Sequence, residues 1–337
     1  MYTVSVYFNC MILICFGTRP EYIKVKSLIE NLSNIKTCFT GQHKDLLTNV
    51  NVDFHLEFVE NQSDNRLNNI CIHILKNSFI FNEVDYVIVQ GDTSTAFAVA
   101  LSAFHYNKKV IHLEAGLRTH NTSDPFPEEL NRQLITRIAN IHLCPTFLNK
   151  SNLLKEGIEE NCIYVVGNTG LDNITKDHCE YENIILVTLH RRNNIKIMDK
   201  WFNVIEKLAN DNLDLTFVLP IHPNPMVQIH RNILKKVNVI DPLTHDETIH
   251  FIKKCKFIIS DSGGIQEEAS FLNKKIIICR VDTERPEVLE HHGILCNNPS
   301  ELNNIFNIIN YDYVVNKPCP FGDGESFKKI KSIIEKL

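Results

Sequence analysis

FIISDSGGIQEEAS, Phe257–Ser270, is the stretch whose reading decides the fold. FIIS is a short apolar run with the character of a buried strand. A polar step and two adjacent glycines follow. The next residues can open a helix, with Glu267 and Glu268 in its first turns. Strand, tight polar turn and helix start together are the repeating unit of a parallel α/β sheet. The same rhythm extends on both sides, in IILVTL (184–189), LTFVLP (215–220), VNVIDP (237–242) and KKIIICR (274–280).

An earlier series has the same form. MILICF (11–16) is a strand candidate, and EYIKVKSLIENL (21–32) puts Val25, Leu28, Ile29 and Leu32 on one helical face. IKTCFT, YVIV, KVIHLE and IHLCP recur as short apolar runs, with helix-like stretches such as STAFAVALSAFHY (94–106) between them. Nearly continuous β-branched runs separated by helices indicate parallel strands covered on both faces. The rhythm resets after VVGNTGLD (165–172) and the polar KDHCEYEN, which predicts a linker near 168–182. The expected architecture is therefore two doubly wound, Rossmann-like α/β domains. The first spans 1–168, with 1–10 as an extension outside the core, and the second spans 169–322, with 323–337 left as a terminal segment.

Bulk composition narrows the function classes. The 337 residues suit two domains of ordinary size, and 44% hydrophobic against 22% charged residues suits a protein with real cores. A net charge of −5 gives no electrostatic footprint for nucleic acid. Eleven scattered cysteines without a CxxC pair argue against a disulfide framework or a zinc ribbon, and read as buried thiols in a reducing, cytoplasmic setting. Fifteen histidines form no HExxH, and the adjacent His291 and His292 suit a loop better than a metal site. The N-terminus lacks a basic n-region and a small-residue cleavage site, and no run is long enough for a membrane span.

In open parallel sheets ligands bind beyond the carboxyl ends of strands, and nearly every unusual polar cluster lies there. Two such domains are expected to face each other across a cleft lined by these turns. At Ser262, Gly263 and Gly264, unpaired N–H groups at a helix start favour an anion, and glycines admit close approach of a phosphate. Glu268, one turn further on, suits the two hydroxyls of a ribose. A plain helix start with Ser262 as N-cap is the competing reading. GTRPE (17–21) is not a dinucleotide motif. Its Arg19, with Lys24, reads either as a phosphate or substrate contact or as ordinary surface and helix-face charge. HRR (190–192) and Arg285 add cations. Asp92 and Glu114 each fall just past a buried run, and Glu128 lies in PFPEE. Carboxylates so placed are paired, protonated or functional, and several in one pocket can supply an acid and a base together. The competing readings make Asp92 an N-cap for the helix from Ser94 and Glu114 a partner of Arg118. Anion-holding turns in one half and acidic turns in the other suggest a nucleotide-sugar enzyme.

The ordered set GTRPE (17–21), GDTSTA (91–96), HLEAGLRT (112–119), PFPEELNR (125–132), GNTGLD (167–172), HRR (190–192), HPNP (222–225), SDSGGIQEEA (260–269), TERPE (283–287) and FGDGE (321–325) resembles the non-hydrolysing UDP-N-acetylglucosamine 2-epimerase family across nearly the whole chain from Met11. The resemblance implies a glycosyltransferase-B-like fold whose last helix, here near 323–336, crosses back to the first domain. It implies reversible interconversion of UDP-N-acetylglucosamine and UDP-N-acetylmannosamine, through elimination of UDP to a 2-acetamidoglucal and re-addition. No metal or NAD is implied, and family members are usually homodimers. By this resemblance Asp92, Glu114 and Glu128 match the catalytic carboxylates. His190 matches the catalytic or diphosphate-contacting histidine. Arg19, Lys24, Ser262, Gly263, Gly264, Glu268 and Arg285 match the UDP-sugar contacts.

Related activities on the same scaffold act on 6-deoxy or uronate hexosamines. A silent UDP-sugar-binding protein and a glycosyltransferase are further alternatives. The spelling at GTRPE, EAGLRT and SGGIQEE favours the plain substrate. Gln42, His43, Arg191 and His222 match the region where bacterial members bind an activating second UDP-N-acetylglucosamine. There, however, Asp45 stands where Gln is frequent and His73 where Arg is frequent, and Asn193 follows HRR where Glu is usual. A histidine is a poorer, pH-dependent partner for a diphosphate, so weakened or lost activation is expected. Leu243 and Thr248 are also atypical for the region near the uracil.

Overall fold

Ile12–Phe16 forms strand β1, and its alternation shows how the first sheet is buried. Leu13 and Cys15 point into one apolar core, while Ile12, Ile14 and Phe16 point into another. A period of two with both faces apolar is what a central parallel strand requires. The computed structural model describes residues 10–42, 50–58, 63–176 and 181–337, so the extension expected before Met11 lies almost wholly outside the described residues.

The first sheet continues with β2 (Ile35–Phe39), β3 (Phe54–His55), β4 (Tyr86–Gln90), β5 (Lys109–Leu113), β6 (Ile141–Cys144) and β7 (Ile163–Val165). Its seven strands are all parallel, in the order β3-β2-β1-β4-β5-β6-β7. One face is covered by helices Arg66–Lys76, Ser94–His105 and Glu128–Ile138, which contribute Ile70, Ile74, Val99 and Ile135. The other face is covered by helix Arg19–Asn31, through Val25 and Leu28.

The second sheet contains β8 (Ile184–Thr188), β9 (Thr216–Pro220), β10 (Asn238–Ile240), β11 (Phe257–Ser260), β12 (Ile276–Ile278) and β13 (Gly293–Leu295). These six strands are also parallel, in the order β10-β9-β8-β11-β12-β13. The core on one face is built around Trp201, Phe202, Phe217, Phe257 and Phe306. The opening stretch is thus β11, a turn, and helix Gly263–Phe271.

The chain divides into two compact units. The first runs to Asn173 and resumes at Gly322–Leu337, and the second is Ile174–Phe321. Thr169–Asn173 forms a short 3-10 turn in the first unit, where Asn173 donates to the carbonyl of Ile23 at 2.8 Å. The last helix, Ser326–Ile334, also belongs to the first unit. Its first N–H groups, from Ser326 and Phe327, donate to the Asp172 carboxylate at 2.9 and 2.8 Å. Ile330 is fully buried beside Val25 and Leu28. This carboxylate at a helix start satisfies donors that the helix itself cannot.

Ten cysteines among the described residues are free thiols. No described helix is long and apolar enough to cross a membrane.

Candidate functional site

In the first unit the site residues sit at the carboxyl ends of β1, β4 and β5. The turn after β1 is wired by Glu21. Thr18 and Glu21 form a capping box at the start of helix Arg19–Asn31. One Glu21 oxygen accepts from the N–H of Gly17 (2.8 Å), the N–H of Thr18 (2.7 Å) and the Thr18 hydroxyl (2.9 Å). The other accepts from Thr93 Oγ1 at 2.6 Å, which ties the turn after β1 to the turn after β4. Burial raises the Glu21 pKa, and the hydrogen bonds from Thr93, Gly17 and Thr18 oppose that rise. Gly17 is needed for lack of room, since a Cβ there would collide with the Thr40 and Thr95 hydroxyls.

Beyond β4, Gly91 adopts φ +68° and Asp92 follows. Asp92 is not the helix cap. Thr93 takes that place, accepting from the N–H of Ala96. The Asp92 carbonyl accepts from Asn131 Nδ2 at 2.8 Å, and its carboxylate from Arg132 Nε at 2.8 Å and Nη2 at 2.6 Å. Nη1 of Arg132 reaches Glu129 at 2.9 Å. Glu129 is wholly buried. Burial alone would raise its pKa, but hydrogen bonds from Thr119, Gln133 and Arg132 bring it below the usual range. Glu128, one residue earlier, is the first residue of helix Glu128–Ile138, just after two cis-proline peptides at 124–125 and 126–127.

Glu114 follows β5 at φ +65°, a left-handed backbone that a residue other than glycine adopts only at a cost. Its two carboxylate oxygens are in direct contact with Lys24 Nζ and Gln90 Nε2. The alternative pairing with Arg118 does not occur. Arg118 is buried and donates to Glu156 at 2.7 and 3.0 Å and to Thr136 at 2.8 Å. Lys24 therefore joins Glu114, while Arg19 stands exposed at the first position of its helix.

The second unit gathers its residues around Asp261, a carboxylate with no exposed surface. Asp261 accepts from the N–H of His190 (3.0 and 3.1 Å), the N–H of Arg191 (2.8 Å) and Asn194 Nδ2 (2.9 Å). His190 Nδ1 is 3.7 Å from Asp261, and its ring stacks on His222 at 5.0 Å. Burial lowers the His190 pKa. Asp261 pulls the other way, and His222 and Arg191 reinforce the lowering.

Ser262 occupies the N-cap position, as the plain-cap reading has it, but makes no side-chain capping hydrogen bond. The two glycines after it differ. A Cβ on Gly263 would stand 2.7 Å from Arg285 Nη1, so the space this glycine leaves is filled by a guanidinium. A Cβ on Gly264 would meet nothing within 4 Å, so that glycine borders open space. Arg285 is buried, with Nε on Glu267 at 2.7 Å and Nη1 on Glu284 at 2.5 Å. Burial would raise the Glu284 pKa, but Arg285, Arg280 and Arg191 together hold it well below the usual carboxylate range. Glu268 accepts from His245 Nε2 at 2.9 Å, so that ring nitrogen carries the proton.

Among the residues matched to an activator site, Gln42 accepts from Thr95 Oγ1 beside the Gly17 turn. His73 is buried in helix Arg66–Lys76, edge-on to Phe58, and burial lowers its pKa. His222 is exposed and Arg191 half-buried. His43 and Asp45 lie outside the described residues. No group of three His, Cys, Asp or Glu side chains among the described residues is placed to hold a metal ion.

Sequence reasoning assigned no role to Glu21, Gln90, Glu129, Arg132 or Asp261, although four of the five lie in the quoted motifs. The i, i+3 spacing of Glu129 and Arg132 was the available signal for one pair. Thr18 and Glu21, also three apart, carried the capping-box signature, whereas Gln90 and Asp261 act across strands and carry no local one.

Residues 28–335 match the model of a family described as UDP-N-acetylglucosamine 2-epimerase. A UDP-N-acetylglucosamine 2-epimerase of Salmonella borreze is 37% identical, over 95% of this chain and 96% of that protein. The crystal structure of a Neisseria meningitidis UDP-N-acetylglucosamine 2-epimerase bound to UDP-N-acetylglucosamine superposes with a TM-score of 0.88 at 31% identity, covering 97% of this chain and 100% of the other. The Methanocaldococcus jannaschii enzyme, in complex with UDP-N-acetylglucosamine and UDP, gives 0.79 at 30% identity with the same coverage.

Proposed function

The chain belongs to the UDP-N-acetylglucosamine 2-epimerase family and is an isomerase of glycosyltransferase-B-like fold; from that premise we propose how its residues interconvert UDP-N-acetylglucosamine and UDP-N-acetylmannosamine. A base takes the C2 proton, the C1–O bond breaks, and UDP leaves with the bonding pair to give a 2-acetamidoglucal. An acid then protonates C2 from the opposite face, and UDP adds back at C1. Asp92, Glu114 and Glu128 supply the carboxylates that remove and return the C2 proton. The open Gly264 turn with Ser262 and the Arg191–His190 turn take the diphosphate, and Glu268 takes the ribose. Arg19 and Lys24 are further substrate contacts.

The observation that carries this reading is Glu114. It is held at φ +65° just past β5, with its carboxylate against Lys24 and Gln90. Strain kept at a carboxylate by its surroundings is what a preorganised reacting group looks like. Arg285, buried between Glu267 and Glu284, acts by shaping the Gly263 turn.

Proton NMR of the protein with UDP-N-acetylglucosamine in D2O tests the reaction. The expected result is UDP-N-acetylmannosamine with deuterium at C2. Free N-acetylmannosamine as the main product, or no C2 exchange, defeats it.

The finer assembly reading is a homodimer. Exposed Leu75, Phe79, Phe104 and Tyr106 lie on neighbouring helices of the first unit, a concentration of apolar surface that suits a second copy. A monomeric mass by light scattering at micromolar concentration defeats that.

A further inference from the structure

We propose that His112 is a positioning residue for Asp92, acting through the carbonyl of Gly91. The inference rests on Asp92 being one of the reacting carboxylates.

His112 lies in β5, opposite Val89 of β4, and has no exposed surface. Its Nε2 is 2.8 Å from the Gly91 carbonyl oxygen. A carbonyl only accepts, so Nε2 carries the proton and Nδ1 the lone pair. That Nδ1 has no hydrogen-bond partner among the described residues. A buried polar atom left unpaired is unfavourable, and the neighbouring strand positions are filled by Val110, Ile111 and Leu113. What a histidine adds at 112, and an aliphatic side chain does not, is the donor to Gly91.

That bond falls at a sensitive place. The Gly91 N–H already donates to Leu113 at 2.9 Å, so β5 grips the residue from both ends while it holds φ +68°. Fixing the Gly91 carbonyl fixes the peptide plane that leads into Asp92. The Asp92 carbonyl is held by Asn131 and its carboxylate by Arg132. The three restraints come from β5 and from helix Glu128–Ile138, and together they set where the carboxylate points. His112 is also kept uncharged, because burial pushes its pKa down to about 3.

The test compares His112→Phe, His112→Gln and His112→Asn with Asp92→Asn and the His112→Phe/Asp92→Asn double variant. Steady-state rates, C2 deuterium exchange and thermal unfolding are read for each. Phe keeps the ring and loses the donor. Gln reaches with an amide N–H, and Asn is too short. His112→Phe is expected to lower kcat roughly 10- to 100-fold with little change in KM, because a small misplacement of a reacting group costs that much. Gln is expected to recover most of the rate and Asn none. The double variant is expected to be no slower than Asp92→Asn alone, since there is no carboxylate left to position.

Full kcat in His112→Phe, or losses that multiply in the double variant, overturns the positioning role. If the Phe variant does not fold, equal rates for Gln and Asn overturn it. Asp92→Asn at full rate overturns the reading of Asp92 itself. An inactive Asp92→Asn beside an active His112→Phe overturns only the inference about His112.

Discussion

Gly263 and Arg285 occupy one volume: the missing Cβ of the glycine would stand 2.7 Å from Nη1 of the arginine. Gly263→Ala therefore pushes the guanidinium off Glu267 and Glu284, both buried. The expected cost is about 1–3 kcal/mol in chemical denaturation, with a raised KM for the UDP-sugar. Gly264→Ala is the control, because it meets nothing. Folding is expected to be unharmed, and the helix gains up to about 1 kcal/mol. Its KM should still rise if a phosphate passes there, and an unchanged KM removes Gly264 from the binding turn.

Arg132 stands between Asp92 and the wholly buried Glu129. Arg132→Ala leaves that buried carboxylate without its cation, which costs about 3–5 kcal/mol. Arg132→Lys keeps the charge but not the two-point hold on Asp92. It is expected to fold with a melting temperature well above that of Arg132→Ala and to show a lower kcat. Equal stability of the two variants contradicts the account.

The left-handed backbone at Glu114 separates strain from chemistry. Glu114→Gly and Glu114→Ala both lose the carboxylate, and each is expected to drop kcat at least ~100-fold. Glycine adopts φ +65° without penalty, so Glu114→Gly is expected to be about 1 kcal/mol more stable than Glu114→Ala. A more stable alanine variant shows that the strain is not real.

His142, buried on β6 beside His112, has its pKa lowered to about 4 by burial and then by Arg118. In the unfolded chain it titrates near 6.5. Above about pH 7 both states are neutral there, and stability is unaffected. As pH falls from about 6.5, the unfolded chain binds a proton that the folded protein refuses, so stability drops, by about 2 kcal/mol at pH ~5. Glu21, raised by burial, works in the opposite sense, but it is common to the wild type and a His142→Leu variant. The difference in stability between about pH 7 and 5 is therefore expected to be smaller in His142→Leu by that amount. An unchanged difference contradicts the depressed pKa.

His73 stands where the resemblance implies an arginine beside an activator's diphosphate. Burial lowers its pKa, so at neutral pH it brings no charge to a diphosphate. Rates with UDP-N-acetylmannosamine are expected to be hyperbolic and indifferent to traces of UDP-N-acetylglucosamine. Sigmoidal curves that straighten on its addition defeat this expectation.

Much of the scaffold was readable because a doubly covered parallel strand is an uninterrupted apolar run, as at Ile12–Phe16 and Phe257–Ser260. The strands that escaped notice, β3, β7 and β13, have two or three residues each, whereas the equally short β10 and β12 were legible through the apolar residues beside them, Val237 and Cys279. The site was readable as a set of turns, but its internal wiring was not. Asp92 resembled a cap and Glu114 a partner for Arg118 because both assignments are local. Thr93 caps instead, and Arg118 turns to Glu156, at a distance in sequence where no spacing rule operates. Gly263 and Gly264 looked alike in the sequence and differ because one of them faces Arg285, a neighbour supplied by the tertiary fold.

The return of the chain at Gly322 sets an order of events during synthesis. Domains emerging from the ribosome generally fold from the N-terminus onward. Here the first unit lacks Phe327, Ile330 and Ile333 in its core, and the helix start that Asp172 serves, until Gly322–Leu337 has been translated. The second unit, made of one uninterrupted segment, is complete before then. The unit completed later is thus the one whose strands are made earlier, because a single returning helix closes it.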